Sequence, residues 1–280
     1  MASKRNYKDG VFTTLFKDKE KILELFNALS GTSYDSDTNV QIHTLADVLY
    51  SVRKNDLAFS VDNRFIVLAE HQSSLCANMA FRFLLYIPRV YEKIVENRLI
   101  YSNTPIGIPV PEFYVLYNGV SDFPLEATQK LSDLFITRPK TASLELEVNL
   151  ININREKAHF ILSKSPTLNQ YSLFVEKVRE LFQQYSSRDE AVKQAINWSI
   201  QHDILGEFLK ENGSEVYNML FEEYNVETAL QVREEETLEK TATKMLKAGE
   251  SSERVQLFTD LPIKRIVELK KRLDSQLLNA

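Results

Sequence analysis

Asp56, Glu70 and Gln72 are the residues of this chain whose types and spacing best suit chemistry. Asp56 opens the run Asp56-Leu57-Ala58-Phe59, and Glu70 and Gln72 close the run Leu68-Ala69-Glu70-His71-Gln72. Between them Asp62-Asn63-Arg64 reads as a tight turn, and both flanks alternate apolar and polar residues as half-buried strands do. A hairpin loop at 62–64 sets Val61 opposite Phe65, Phe59 opposite Val67 and Leu57 opposite Ala69, an apolar face throughout. The same register sets Asp56 opposite Glu70, with Gln72 two residues further along. Two carboxylates directly across a sheet repel each other. A divalent cation between them relieves the repulsion, and carboxylate oxygens with water are the ligands Mg²⁺ or Mn²⁺ prefers. The chemistry such a pair suits is metal-assisted phosphodiester hydrolysis. Spacing alone nevertheless favours two exposed carboxylates on an edge hairpin, because surface Asp and Glu are common. A register error of one residue would also swap every side chain to the other face.

The elements that must position these residues follow from periodicity. Residues 9–29 carry a helical apolar stripe (Val11, Phe12, Leu15, Phe16, Ile22, Leu25, Phe26, Leu29) with Asp9 as N-cap. Val40–Leu49 reads as a strand ahead of the hairpin. Asn78 to about Arg98 reads as a second helix, kinked or interrupted at Pro88. Phe113–Tyr117 is a short apolar run suited to a central strand, Asn118-Gly119 marks a turn, and Leu144–Ile153 alternates as another strand. After Pro166 the pattern becomes helical: Asn169–Tyr185, Ser187–His202, then Glu207–Asn212 and Ser214–Tyr224, with Gly213 as the break. From about Glu227 the chain is charge-dense up to Lys247. Gly249 stops that helix, and Ser252–Phe258 and Pro262–Leu273 follow around Thr259-Asp260-Leu261, an order similar to a helix-turn-helix.

The pattern Asp…Glu-x-Gln on neighbouring strands resembles the PD-(D/E)XK nuclease core, with Gln in place of the usual Lys. More specifically, the chain resembles the bacterial recombination-promoting nuclease / putative transposase (Rpn) family. The resemblance rests on Asp9-Gly10-Val11-Phe12 with Leu15-Phe16, Lys54-Asn55-Asp56, Glu70-His71-Gln72-Ser73, and Asn78-Met79 with Arg82 and Tyr86. It continues through Ile108-Pro109, Pro111-Glu112-Phe113 and Leu116-Tyr117-Asn118-Gly119, and more loosely to about residue 225. A bare Asp…Glu-x-Gln pair is weakly specific; the ordered set is far more so.

The resemblance implies an α/β fold: a PD-(D/E)XK restriction-endonuclease-like core with a mixed central sheet flanked by helices, followed by an all-helical C-terminal region. It implies a metal-dependent DNA endonuclease linked to mobile DNA and recombination. Asp56 and Glu70 would hold a divalent metal, Mg²⁺ first and Mn²⁺ or Ca²⁺ as alternatives, and Gln72 would orient the attacking water. Gln can do this by hydrogen bonding but, unlike Lys, cannot offset phosphate charge. Lys54, two residues from Asp56 on the same strand face, could supply that charge, although a solvated lysine at a strand start is the plainer role. Asp9 would be a third acid sharing the metal, or simply a helix cap. Arg82 and Tyr86, four apart on one helix face, would flank the site and touch phosphate; the plainer alternative is a salt bridge and a core tyrosine. A non-catalytic DNA-binding or assembly protein on a decayed nuclease core is the rival expectation.

Bulk properties narrow the field. The 280 residues suit one large domain or a domain with an appendage, expected at 1–165 for the core, 166–226 for a helical extension and 227–280 for the charged helix and helix-turn-helix-like tail. No apolar run approaches the roughly 18–20 residues of a membrane span, and no secretory signal is visible. The single Cys76 excludes an intrachain disulfide framework and a cysteine-based zinc site; the cytoplasm is the expected compartment. A net charge of −5 argues against binding DNA through overall charge, though a local basic patch suffices. The expected partners are DNA and, for a nuclease cutting both strands, a second copy in a two-fold homodimer. His71 alternates to the face opposite Glu70 and Gln72 and is expected to be packed rather than catalytic.

Overall fold

The computed structural model describes residues 10–43, 56–137 and 140–278. Its elements are, in chain order, α1 (Val11–Leu15), α2 (Lys19–Ser30), β1 (Val40–Ile42), β2 (Asp56–Val61), β3 (Phe65–Gln72), α3 (Met79–Ile94), β4 (Val110–Tyr117), β5 (Glu126–Lys130) and β6 (Glu147–Asn152). Helices α4 (Ile161–Lys164), α5 (Pro166–Gln184), α6 (Arg188–Gln201), α7 (Gly206–Lys247), α8 (Ser252–Thr259) and α9 (Ile263–Leu278) complete them. The chain divides into two compact units, Met1–Phe221 and Glu222–Ala280.

The first unit is a mixed α/β structure around one six-stranded sheet in the order β1-β2-β3-β4-β6-β5. β1, β2 and β3 run antiparallel, β3, β4 and β6 run parallel, and β5 returns antiparallel to β6. The parallel β3–β4 step requires a crossover, and α3 is that crossover. Its buried residues Met79, Phe83, Ile87 and Val90 pack with Ala58, Phe113, Val115, Tyr117, Val148 and Leu150 on one sheet face. The other face is covered by helices from both ends of the unit. Phe26 of α2 meets Phe59 edge-on at 6.3 Å, and Phe12 of α1 and Tyr171 of α5 lie 5.8 and 5.2 Å from the His71 ring.

One carboxylate ties the early helices to the late ones. Ser165 is the N-cap of α5, and Pro166 occupies its first turn, where a missing N–H costs nothing. Glu24 of α2 reaches this helix start. Its Oε1 accepts from Ser165 Oγ at 2.5 Å and from the Thr167 backbone N–H at 2.8 Å, and its Oε2 accepts from Thr167 Oγ1 at 3.1 Å. A negative group is favoured there because the first N–H groups of a helix have no intrahelical partner and the helix dipole is positive at that end.

Several elements differ from their sequence expectation. The single helix over 9–29 is two helices. Asp18 accepts the N–H groups of Glu20 and Lys21 at 3.0 and 3.1 Å, so the chain restarts a helix there. The cap of α1 is Gly10, and Asp9 lies outside the described residues. β1 ends at Ile42; residues 44–49 of the expected strand lie outside the described residues. Helix α3 runs on through Pro88, held by the burial of Phe83, Ile87 and Val90. Helix α7 likewise passes through Gly213, whose added Cβ would meet Ile196 only at van der Waals distance. Strand β5 and the short α4 carry no period that sequence reading detects.

In the second unit, Ala242, Val255, Leu261, Ile266 and Leu269 form a small core between the end of α7, α8 and α9. Gly249 and Asp260 end α7 and α8 with positive φ of 87° and 52°, and Ser251 caps α8. The helix-turn-helix-like order is therefore present. Of its basic residues, Arg265 is engaged by Glu239 at 2.6 Å and Glu268 at 3.0 Å.

Glu24→Ala should lower the unfolding free energy by about 2–4 kcal/mol, the range for losing charged hydrogen bonds at a helix start. Urea unfolding of the variant measures this; a loss below about 0.5 kcal/mol would mean the clamp contributes nothing.

Candidate active site

The hairpin that carries the acids is set by its turn. Asp62 and Asn63 both have positive φ, 52° and 54°, and Arg64 N–H donates to the Val61 carbonyl at 3.0 Å. Asp and Asn tolerate the left-handed region better than other non-glycine residues, and a turn with both central residues there matches the twist of the flanking strands. The tip is also tied to the chain before β1, through Asp62 N–H to the Asn39 carbonyl at 2.8 Å. The register follows as the sequence predicts: Val61 pairs with Phe65, Phe59 with Val67, Leu57 with Ala69 and Asp56 with Glu70. Leu57, Phe59, Val61, Val67 and Ala69 are all buried on the face toward α1, α2 and α5. Alternation gives Asp56, Ala58, Glu70 and Gln72 the opposite face, which β4 continues with Val115 beside Glu70 and Tyr117 beside Gln72.

Helix α3 brings its N-terminal turns to that face. Gln72 is buried, and its Nε2 donates to Met79 Sδ at 3.0 Å. Arg82 Nη1 donates to the same sulfur at 3.2 Å, and Arg82 Nη2 donates to the Tyr86 hydroxyl at 3.2 Å. The Arg82 guanidinium also lies over the Tyr86 ring, 5.8 Å from its centroid. Met79, Arg82 and Tyr86 are spaced three and four apart, so one helix face presents all three. Thus Gln72 and Arg82 meet at Met79, and Tyr86 is joined to them through Arg82. Asp56 and Glu70 are placed by their backbone register, and Lys54 and Asp9 lie outside the described residues. Among the described residues no group of three or more His, Cys, Asp or Glu could hold a metal ion.

The other face behaves differently. His71 is buried, as its alternation predicts, with Nδ1 3.3 Å from the Tyr171 hydroxyl. Burial, reinforced by the nearby Arg179 charge, lowers its pKa to about 3, so the ring is neutral at ordinary pH. Arg179 Nη1 donates to Asn118 Oδ1 at 2.9 Å and to Asn154 Oδ1 at 3.4 Å, which links α5 to the turn after β4. At Gly119 in that turn an added Cβ would collide with the Ser73 carbonyl and the Tyr117 ring, so close backbone approach requires glycine.

Further along this face, a cleft of about 490 Å³ is lined by Tyr114, Glu126, Asn149, His159 and Phe160 among others. His159 Nδ1 accepts the Ile161 N–H at 3.2 Å, which leaves Nε2 to donate to Glu126 at 2.7 Å. The Tyr114 hydroxyl donates to Glu112 at 2.8 Å, and burial, then Glu112, raises its pKa. Sequence reading gives no signal for this cleft, because its lining comes from α2, β4, β5, β6 and the start of α4 with the segment before it. It lies across the sheet from the acids.

Comparison with known proteins bears on the acid-bearing face. A family model described as "Putative transposase, YhgA-like" matches residues 29–189, more than half of the 280-residue chain. The match spans Lys54, Asp56, Glu70, Gln72, Arg82 and Tyr86. No match was found among curated proteins or among solved structures.

The neutrality of His71 predicts a pH dependence. Its folded pKa of about 3 lies below the unfolded value near 6.5, so protonation favours the unfolded chain. Stability from this group is complete above about pH 6.5 and falls by up to about 1.4 kcal/mol per unit toward pH 3. Denaturant unfolding of wild type and His71→Gln in metal-free buffer checks it. The difference between the two should shrink steadily below pH 6.5; a constant difference would mean that the ring is charged in the folded state.

Proposed function

Because the chain belongs to the family of YhgA-like putative transposases, we propose that it is a metal-dependent DNA endonuclease built on a PD-(D/E)XK-type core. It would act in recombination, mobile-element processing or defence against foreign DNA. The observation that carries this reading is the Asp56–Glu70 pairing across β2 and β3. Two acids held opposite each other on adjacent strands, with the amide of Gln72 two residues on, form a hard oxygen donor set suited to Mg²⁺ or Mn²⁺. Bound there, the ion would lower the pKa of a water and stabilise the leaving oxyanion.

The chain's own residues supply the rest. Asp56 and Glu70 hold the metal, with Asp9 the proposed third acid. Gln72 accepts or donates a hydrogen bond to the attacking water and fixes its direction. Arg82, beside Tyr86, would touch a phosphate oxygen, and Lys54, two residues before Asp56 in the sequence, would supply positive charge. Cutting both strands calls for a two-fold homodimer, and the proposed compartment is the cytoplasm. No helix among the described residues is long and apolar enough to cross a membrane.

A second reading, a non-catalytic DNA-binding or assembly protein, is favoured by the Gln at position 72 and the net charge of −5. One experiment separates the two. Wild type, Asp56→Ala and Glu70→Ala are compared in plasmid nicking with Mg²⁺, Mn²⁺ or Ca²⁺. Wild type should nick with Mg²⁺ or Mn²⁺, and each variant should lose on the order of a hundredfold or more. Metal should also raise the melting temperature of wild type but not of the variants. A folded wild type that neither nicks nor is stabilised by metal would establish the non-catalytic reading. Equal nicking by all three would place the cutting outside these residues.

A further inference from the structure

The charge of this chain is unevenly spread. Between Lys240 and Ala280 nine Lys and Arg stand against five Asp and Glu, a net of +4 in a chain whose total is −5. Such an asymmetry suits a polyanionic partner for the basic part. That part is folded around its own small core. Ala242 of α7, Val255 of α8 and Ile266 and Leu269 of α9 meet there, with Leu261 added by the turn between α8 and α9. Asp260 ends α8 in the left-handed region, its N–H donating to the Gln256 carbonyl at 2.9 Å. Pro262 then leads into α9, its carbonyl accepting the Arg265 N–H at 2.8 Å. Three residues therefore join α8 to α9, the turn length of a DNA-binding helix-turn-helix.

Burial of Ile266 and Leu269 turns another face of α9 outward. Ile263, Lys264, Val267, Lys270 and Lys271 are all exposed, at intervals that place them on one side of a helix. Ile263 and Val267 keep 42% and 40% of their surface in water. Arg265 lies at the flank and is held by Glu239 and Glu268. Lysine is depleted where proteins meet proteins, whereas lysines along an exposed helix match the phosphates that border a groove. A helix with its side chains is about 10–12 Å across, and the major groove of duplex DNA is about 12 Å wide. Apolar side chains carried into that groove contact thymine methyl groups.

We propose that α8 and α9 are a second DNA-binding surface, with α9 entering the major groove of duplex DNA. Lys264, Lys270 and Lys271 engage phosphates, and Ile263 and Val267 meet base edges. The proposal goes beyond the nuclease reading and holds whether or not the acids cut.

Anisotropy of a labelled DNA duplex in EDTA follows binding without cutting. Full-length wild type is compared with Lys264→Gln/Lys270→Gln and with Val267→Glu. A third variant, Lys164→Gln/Lys210→Gln, removes the same charge from the first unit. Every substituted position is exposed, and circular dichroism confirms folding. The double variant on α9 should weaken binding by about tenfold and lower the log–log salt slope by about 2. Val267→Glu sets a carboxylate against the phosphates and should weaken binding by about tenfold or more. The variant in the first unit should stay within about twofold of wild type. Variants of α9 that bind as wild type does overturn the proposal, as does a wild type that does not bind the duplex. A changed sedimentation coefficient with DNA binding intact also overturns it, since α9 would then join copies of the chain. Nicking with Mg²⁺ by the same preparations tests the nuclease reading separately: a wild type that binds through α9 without nicking fails only that reading.

Discussion

The pairing of β2 with β3 is the constraint on which the rest of the site depends, and hydrophobic burial enforces it. Leu57, Phe59, Val61, Val67 and Ala69 share one face and are almost completely removed from solvent. Burying a large apolar side chain contributes on the order of 1.5–3 kcal/mol. A one-residue slip of β2 against β3 would turn over Leu57, Phe59 and Val61 together, a loss that is a large part of the whole stability of an ordinary domain, about 5–15 kcal/mol. The opposition of Asp56 and Glu70 is thus imposed by side chains on the other face. The electrostatic cost of bringing two acids together is small beside the burial that compels it.

The parallel step from β3 to β4 decides what meets those acids. A crossover helix must return the chain to the start of β4, and α3 does so across the acid-bearing face, bringing Met79, Arg82 and Tyr86 with it. Helices α1, α2 and α5 cover the reverse face, where His71 is held neutral between aromatic rings. Consecutive residues of one strand therefore occupy unlike environments. Gln72 is turned toward Met79 of α3 and the apolar cluster on one face, and His71 is turned toward Phe12 and Tyr171 on the other. The clamp of Glu24 on the start of α5 fixes the covering helices to each other.

The hairpin was legible because two signals agreed: alternation with period two on both arms, and Asp-Asn at a turn that needs positive φ. The family was legible because its residues recur in order along more than half the chain. What could not be read had local or distant causes. The break between α1 and α2 depends on Asp18 competing as a cap inside an otherwise unbroken apolar stripe. Strand β5, with the sequence Glu126-Ala-Thr-Gln-Lys130, is polar because much of it faces water, so its alternation carries no apolar signal. Pro88 and Gly213 look like breaks in isolation, but the helices that contain them are held by packing. The contact of Met79 with Gln72 depends on how closely α3 approaches β3, which no spacing along the chain encodes.

The composition of β5 also bears on how the sheet ends. It is the last strand in the order, bonded to β6 on one side. Its other side carries a row of backbone donors and acceptors of the kind that recruits foreign strands into aggregates. Charged residues stand at both of its ends: Glu126 paired with His159, and Lys130 paired with Glu147 at 2.5 Å. An incoming strand would have to desolvate these ends for only five residues of pairing. The polarity that hides β5 from pattern reading is the same property that keeps this border of the sheet from growing into a fibril.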